Sequence, residues 1–271
     1  MENTESMVAT RSMQLMNRVD FHTHILPGID DGSQSESQSY RMLKMEKSNG
    51  VAIVVATPHF YPDGPTPTEF VRIRSASYEK LMAYAKTSEE ELPLIKQGAE
   101  VLLCTETADL EDLRALAIEG TDYILIEMPY DNWQAWVYEA IERIQVKHQL
   151  IPIIAHVERY VPMHTDTDQI YNLLAMPNVL GQMNTRSIMN KATRRLCHKM
   201  LECGMVHVIG SDAHRGQHLV EVKAAYEDIE KKHGIELVQT LDQQARAIIQ
   251  NERISREMPV PFKRILGRFY Q

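Results

Sequence analysis

Nine side chains able to hold a divalent metal ion fall, one or two at a time, at the ends of short apolar runs. His22, His24 and Asp31 follow the first run, His59 the second, Glu100 and Glu127 lie in the third and fourth, His156 follows the fifth, and Asp212 and His214 follow the seventh. His22 and His24 flank Thr23, so on a strand both imidazoles project from one face, as a shared metal site requires. Singly, each residue is ordinary: a lone histidine is more often a hydrogen-bonded core residue, and a lone glutamate a salt-bridged one. Their recurrence at successive strand ends is different, because burying so many titratable groups together without a cation is prohibitively costly. Imidazole and carboxylate without thiolate suit manganese, iron, zinc or magnesium better than copper(I) or an iron–sulfur cluster. Nine protein ligands exceed the needs of two ions with open positions, and three ions sharing a bridging group would use them well.

The elements that must gather these residues are seven β-rich runs, the first ending in Val19 to His24. The others are Val51 to Thr57, Leu94 to Leu102, Tyr123 to Met128, Ile151 to Ala155, Val179 to Met183 and Val206 to Gly210. Most are continuously apolar, as strands buried on both faces are. Between them lie segments of helical spacing, the clearest placing Trp133, Trp136, Val137, Ala140, Ile141 and Ile144 on one core-facing stripe. Ser33 with Glu36, and Thr66-Pro67-Thr68-Glu69, read as helix starts directly after strands. Alternating strands and helices imply parallel strands joined by right-handed crossovers, and seven repeats suit a closed or nearly closed barrel better than an open doubly wound sheet. The carboxyl ends of such strands share one face, so residues almost two hundred positions apart in sequence converge there. Ile235 to Arg253 reads as a helix and Pro259 onward as a basic, aromatic tail, both expected against the barrel exterior.

The 271-residue chain, 44% apolar, is expected to form one catalytic domain over 18–271 behind a polar extension, 1–17. Its formal charge of −8 argues against broad affinity for nucleic acid or anionic membrane, so any anionic substrate must be held by local cations. No apolar stretch suits a membrane span or signal peptide, and a cytoplasmic protein is expected. Cys104, Cys197 and Cys203 form no Cys-x-x-Cys pair and read as packing residues in a reducing compartment. None begins a Cys-x5-Arg run, which excludes the cysteine-dependent phosphatases.

The run His22-Thr23-His24-Ile25-Leu26-Pro27-Gly28-Ile29-Asp30-Asp31-Gly32 resembles the opening motif of the CpsB/YwqE group of bacterial tyrosine-protein phosphatases, a branch of the polymerase-and-histidinol-phosphatase (PHP) superfamily. Ala56-Thr57-Pro58-His59, Gly98-Ala99-Glu100, Glu127-Met128-Pro129, Ala155-His156-Val157-Glu158-Arg159-Tyr160 and Ser211-Asp212-Ala213-His214 resemble its later motifs in the same order, from about Asp20 to His214. The resemblance implies an α/β fold in the form of a distorted seven-stranded (β/α) barrel, with a trinuclear site, usually of manganese, at the C-terminal ends of the strands. It also implies that the nine residues are the ligands, that phosphotyrosine is hydrolysed, and that the partner is a tyrosine autokinase controlling capsule or exopolysaccharide assembly. Three departures stand out. Val157 replaces a proline, which should alter local rigidity more than chemistry; the leading segment is an extension, or translation starts at Met16; and a second arginine expected several residues past the Ser-Asp-Ala-His motif is here at best Arg215, directly beside it.

A phosphate monoester is a dianion that hydrolyses extremely slowly unaided, so a catalyst must gather its charge and supply a nucleophile at neutral pH. Clustered divalent ions can do both, with Asp31 and His59 among the catalytic residues. Arg159 is the expected clamp, since a guanidinium makes two parallel bonds to phosphate oxygens; its bland alternative is an ion pair with Glu158 or another acid. Phenolate leaves more readily than an alkoxide, which makes tyrosine chemically reasonable. Phe60 and Tyr61, on the loop after His59, are candidates to receive the substrate ring, with loop packing the alternative. Rival readings are a small-molecule phosphatase such as a histidinol-phosphate phosphatase, a nuclease, disfavoured by the acidic composition, and a catalytically silent binding module stabilised by metal.

Overall fold

Strands and helices alternate along the chain, and each strand between Arg18 and Gly210 pairs with its neighbours in parallel. The computed structural model describes residues 18–86, 90–131, 133–161, 168–265 and 268–270; the expected N-terminal extension, 1–17, lies outside the described residues.

Two of the expected runs are interrupted. The second becomes β2 (Val51–Ala56) and β3 (His59–Phe60), broken at Pro58, which has no N–H to give to a ladder. The third becomes β4 (Leu94–Gln97) and β5 (Glu100–Leu102). Pairing bridges the breaks, since Gly98 N donates to Ala56 O at 2.8 Å and Glu100 N to Pro58 O at 3.1 Å. With β1 (Arg18–Thr23), β6 (Tyr123–Glu127), β7 (Ile151–Ile154), β8 (Leu180–Asn184) and β9 (Val208–Gly210), the orders are β1-β2-β4 and β3-β5-β6-β7-β8-β9. The chain after β9 then returns to the first strand: Asp212 N donates to His22 O at 2.7 Å, and His24 N to Ala213 O at 3.0 Å. The product is an α/β fold whose parallel sheet curls round on itself.

Strand alternation sorts the core into two clusters. Val19, Val55, Leu125, Ile153, Leu180 and Val208 face one another inside the curl. Val54, Ile124, Ile126, Ile154, Met183 and Ile209 face outward against helices. Those helices include α1 (Glu36–Ser48), α2 (Pro67–Ala85), α3 (Ala135–His148), α4 (Asp168–Ala175), α5 (Thr185–Met189), α6 (Arg194–Glu202), α7 (Val222–His233) and α8 (Ile235–Ile249). On α3 the expected stripe is buried at Val137, Ala140, Ile141 and Ile144, with Trp133 4% exposed in the turn before it. Burial of each such aliphatic side chain contributes roughly 1.5–3 kcal/mol.

Thr66 caps α2 as expected: its hydroxyl accepts from Glu69 N, Glu69 answers on Thr66 N at 2.9 Å, and Pro67 opens the helix. The start of α1 differs. Its cap is Ser35, whose side chain accepts from Gln38 N, while the Ser33 hydroxyl turns to Ser35 O and receives the Ser39 hydroxyl. α8 also differs from a purely exterior element. Val238 and Leu241 join the outer cluster, but Ala245 and Ile248 join the inner one and close the end of the curl away from the metal-ligating residues. Cys197 and Cys203 are buried in the outer cluster and Cys104 is half-buried, all three as free thiols. No helix among the described residues is long and apolar enough to cross a membrane.

Candidate metal centre

The convergence expected of the strand ends is present. β1 ends between His22 and His24, β3 opens on His59, β5 opens on Glu100, β6 ends on Glu127, and His156 and Asp212 lie just past β7 and β9. In register, His59 lies directly beside Glu100. Two local devices bring backbones this close. Gly32 lets its loop fold onto β1, where a Cβ would sit 2.2 Å from His24 O; Gly210 does the same on β9, where a Cβ would sit 2.7 Å from His22 Cβ. His156 and Asp212 occupy left-handed backbone conformations, with φ of 32° and 53°, a strain that turns their side chains back over the strand ends.

At the centre, His22 Nε2 lies 3.1 Å from His24 Nε2 and 3.0 Å from Glu100 Oε2. Asp212 Oδ1 approaches the same two nitrogens at 3.6 and 3.4 Å. On one side, His156 Nε2 meets Glu100 Oε1 at 2.9 Å and Glu127 Oε1 at 3.8 Å, while His59 Nδ1 meets Glu100 Oε2 at 3.2 Å. On the other, Asp31 Oδ1 lies 3.2 Å from His214 Nε2 and 3.6 Å from His59 Nε2. Ligand atoms of His22, His24 and Asp212, of His59, Glu100 and Glu127, and of His24, Asp31, His59 and His214 each lie within 4.8 Å of one another. His156 joins through Glu100. The cluster is graded: His22, His24, Glu100 and His156 are sealed, whereas the side chains of His59, His214 and Asp31 are 15, 19 and 71% exposed. The cluster is therefore open to solvent on the Asp31 side.

The protonation pattern fits divalent cations. His22 Nδ1 donates to Gln182 Oε1 at 3.1 Å, His24 Nδ1 to Asp30 Oδ2 at 2.7 Å, and His214 Nδ1 to the Asp212 carbonyl at 3.1 Å. Each Nε2 consequently presents a lone pair, and those of His22 and His24 point at each other beside two carboxylates. Such an arrangement needs a positive charge between its members. Positive charge is favoured at this spot: burial opposes protonation of His22 and His24, yet the neighbouring carboxylates Glu100 and Asp212 hold both above the ordinary imidazole value. Burial pushes the other way on Glu100 and is outweighed by His22 and by hydrogen bonds from His156, His22 and His24, which hold it well below the usual carboxylate range. Glu127 is pushed up to about 7 by burial and by the charge of Glu100.

Several contributors escaped the sequence reading. Asp30 orients His24, accepts from His59 N at 3.1 Å, and closes its own turn through Gly32 N at 2.9 Å. The sixth run supplies no ligand, but its inward polar pair, Gln182 and Asn184, forms a chain of support. Gln182 Oε1 accepts from His22 Nδ1 and from His156 N; Gln182 Nε2 donates to Asn184 Oδ1 at 2.8 Å, and Asn184 Nδ2 to Asp212 Oδ2 at 2.9 Å. Polar residues at alternate positions of an otherwise apolar strand were the available signal. Tyr130, 47% exposed, donates its hydroxyl to Glu127 Oε1 at 3.0 Å at the rim.

The expected substrate-binding residues separate. Arg159 pairs with Asp212 rather than with Glu158, which is buried and accepts from Asn184 N; the Arg159 side chain remains 42% exposed beside the cluster. Tyr61 stacks on His59 with ring centres 5.5 Å apart and is 46% exposed, open to an incoming ring. Phe60 is a correction: it is 1% exposed and packs edge-on against Phe70 at 5.2 Å, because residue 60 continues β3 and its alternation sends the ring into the outer core. Arg215 is exposed and does not line the cleft that runs past Arg159 and Asp212; Arg186 does.

Comparison with known proteins agrees with this architecture. The family described as "Capsular polysaccharide synthesis, CpsB/CapC" matches residues 18–250. Tyrosine-protein phosphatase YwqE of Bacillus subtilis is 30% identical over 255 residues, 91% of this chain and 97% of its own. Tyrosine-protein phosphatase CpsB of Streptococcus pneumoniae is 26% identical over 227 residues, 80% of this chain and 91% of its own. A solved structure described under YwqE from Bacillus subtilis and CpsB from Streptococcus pneumoniae, "unique metal-dependent tyrosine phosphatases", superposes with a TM-score of 0.78 at 26% identity, covering 91% of this chain and 100% of that one. An amidohydrolase from Bifidobacterium longum, at 14% identity and a TM-score of 0.50, shares the fold alone. With its strand-end cluster intact from His22 to His214, this chain belongs to the CpsB/CapC family.

Proposed function

We propose that the protein is a metal-dependent phosphatase that removes phosphate from tyrosine side chains of a protein involved in capsular polysaccharide synthesis. The observation that carries the reading is the meeting of lone pairs and carboxylates from almost every strand end beside one half-exposed guanidinium, Arg159. Relatives named as tyrosine-protein phosphatases, one of them described as metal-dependent, support it.

In this reading His22, His24, Asp31, His59, Glu100, Glu127, His156, Asp212 and His214 hold three divalent ions, manganese in the first instance, in a distorted barrel of seven βα units. When bound, such ions supply Lewis acidity and a nucleophile at neutral pH. The chain's own groups do the rest. Gln182, Asp30 and the Asp212 carbonyl hold the imidazole tautomers that leave each Nε2 free. Asp31 and His59 stand at the open edge, where the scissile group arrives, and Arg159 turns from Asp212 to grip the phosphoryl oxygens. Tyr61 offers its face to the tyrosyl ring as the phenolate departs. No residue of the site is a suitably placed thiol: Cys197 is buried with its thiol pushed above its ordinary value by burial, so a phosphocysteine route has no nucleophile here. The reading extends to a cytoplasmic enzyme whose partner is a tyrosine autokinase.

The test is turnover of a phosphotyrosine peptide against histidinol phosphate, before and after chelation. The proposal expects strong preference for the peptide and loss of activity on chelation, restored by manganese. Preference for histidinol phosphate would replace the substrate assignment, and chelation-resistant turnover would remove the metal from it.

A further inference from the structure

Past Arg159 and Asp212 the surface opens into a polar cleft of about 320 Å³, whose walls include Asn184, Arg186, Ser187 and Glu221. α5, which carries Arg186, starts directly after β8, so Arg186 stands two positions from Asn184, the residue bonded to Asp212. Several exposed guanidiniums elsewhere are held by carboxylates, Arg114 by Asp122, Arg143 by Asp109 and Arg194 by Asp228. Arg186 is exposed and makes no side-chain hydrogen bond or ion pair with a described residue. Glu221, the remaining charged wall residue apart from Asp212 and Arg159, makes no ion pair with it and leaves the guanidinium available. In a chain of net charge −8, an unpaired arginine in a cleft that adjoins the metal cluster is a local exception to the surrounding field.

We propose that this cleft receives the polypeptide flanking the phosphotyrosine and that Arg186 there pairs with an acidic side chain of that flank. The inference rests on the phosphatase reading above and deepens it. A tyrosyl phosphate placed at the cluster leaves its main chain on the surface, and the exposed side-chain amide of Asn190 in the cleft wall suits an extended backbone. The overall negative charge of the enzyme is screened within about a Debye length, ~8 Å at physiological salt, so the nearest cation decides how an acidic flank is treated. Arg186 is that cation, because Arg159 is committed to Asp212 or to phosphate.

The experiment uses the full chain with manganese and compares three substrates: a phosphotyrosine peptide with aspartate and glutamate flanks, the same peptide with asparagine and glutamine flanks, and p-nitrophenyl phosphate. Arg186→Gln is expected to raise KM for the acidic peptide about fivefold, the effect of one exposed ion pair, with Arg186→Glu raising it further and Arg186→Lys restoring it. KM for the neutral peptide and turnover of p-nitrophenyl phosphate should stay at wild-type values, which also shows that the variants fold. An acidic-to-neutral KM ratio unchanged in Arg186→Glu overturns the inference, as does an equal loss on p-nitrophenyl phosphate, which would place Arg186 on the phosphate itself. Failure of the wild type to hydrolyse all three substrates would instead overturn the phosphatase reading on which the inference rests.

Discussion

Gln182→Leu is the perturbation that separates a built metal centre from a fortuitous cluster of polar residues. Gln182 touches no substrate and is fully buried. Its carbonyl oxygen accepts from His22 Nδ1 at 3.1 Å and from His156 N at 2.8 Å, and its amide donates to Asn184 Oδ1 at 2.8 Å. Leucine fills a similar volume but leaves two donors and one acceptor buried without partners. At roughly 1–3 kcal/mol for each orphaned group, partly relieved by relaxation, the loss is on the order of 3–6 kcal/mol. That is a large share of the roughly 5–15 kcal/mol by which domains are stable. Loss of the His22 partner also frees its ring to rotate and to exchange tautomers, and removal of such a supporting bond typically costs about 10–100-fold in metal affinity. The assay is a manganese titration of phosphotyrosine-peptide hydrolysis, alongside urea unfolding with and without manganese. The expected outcome is a metal-activation midpoint shifted upward by about 10–100-fold and a stability deficit that saturating metal partly offsets. A Gln182→Leu protein with wild-type midpoint and wild-type stability would refute the claim that this network sets the imidazoles for metal.

Three further outcomes are expected. Arg159→Lys should raise KM for phosphotyrosine peptide about tenfold with unchanged unfolding midpoint, because an ammonium cannot make the two parallel bonds of a guanidinium; steady-state kinetics with urea denaturation reads both. Phe60→Ala should cost about 3–5 kcal/mol of stability as a core truncation, whereas Tyr61→Ala should leave the unfolding midpoint in place and raise KM, so the adjacent rings should fail in opposite assays. His207 is held down to about 4 by burial, with Arg256's charge adding, and its Nδ1 accepts from Gly181 N at 3.0 Å. The unfolded chain binds the proton first, so the contribution is fully present above the unfolded value near 6.5 and is lost as pH falls from there toward 4, on the order of 3 kcal/mol in all. Urea unfolding at pH 7 and pH 4.5, with His207→Gln as the flattened control, measures it.

The convergence was legible because metal chemistry restricts residue types and parallel strands restrict position: His22, His59, Glu127 and Asp212 are ordinary singly, and their recurrence at successive strand ends set them apart. Supporting residues carry no such signature. Gln182 and Asn184 are neutral amides, and only the curl of β8 turns their alternation into a hydrogen-bonded chain to Asp212. Asp30 sits beside Asp31 in the same acidic pair, and the turn closed by Gly32 decides that one orients His24 while the other faces solvent. Phe60 was misplaced for a related reason: residues after His59 read as a loop past Pro58, but β3 resumes for two residues and its alternation buries the ring. At α1, Ser33 with Glu36 read as the helix start, whereas Ser35 caps the helix and the Ser33 hydroxyl bonds Ser35 O and receives the Ser39 hydroxyl instead. Arg186 lay on a helix start with no motif around it, and only the cleft made it conspicuous.

The central claim is that the strand-end residues hold divalent cations, and anomalous diffraction at the manganese edge from crystals of the manganese-loaded protein tests it most directly. Peaks among the side chains of His22, His24, Asp31, His59, Glu100, Glu127, His156, Asp212 and His214 are the expected result. A map with no peak among these side chains, from protein that still hydrolyses phosphotyrosine peptide, would contradict the account.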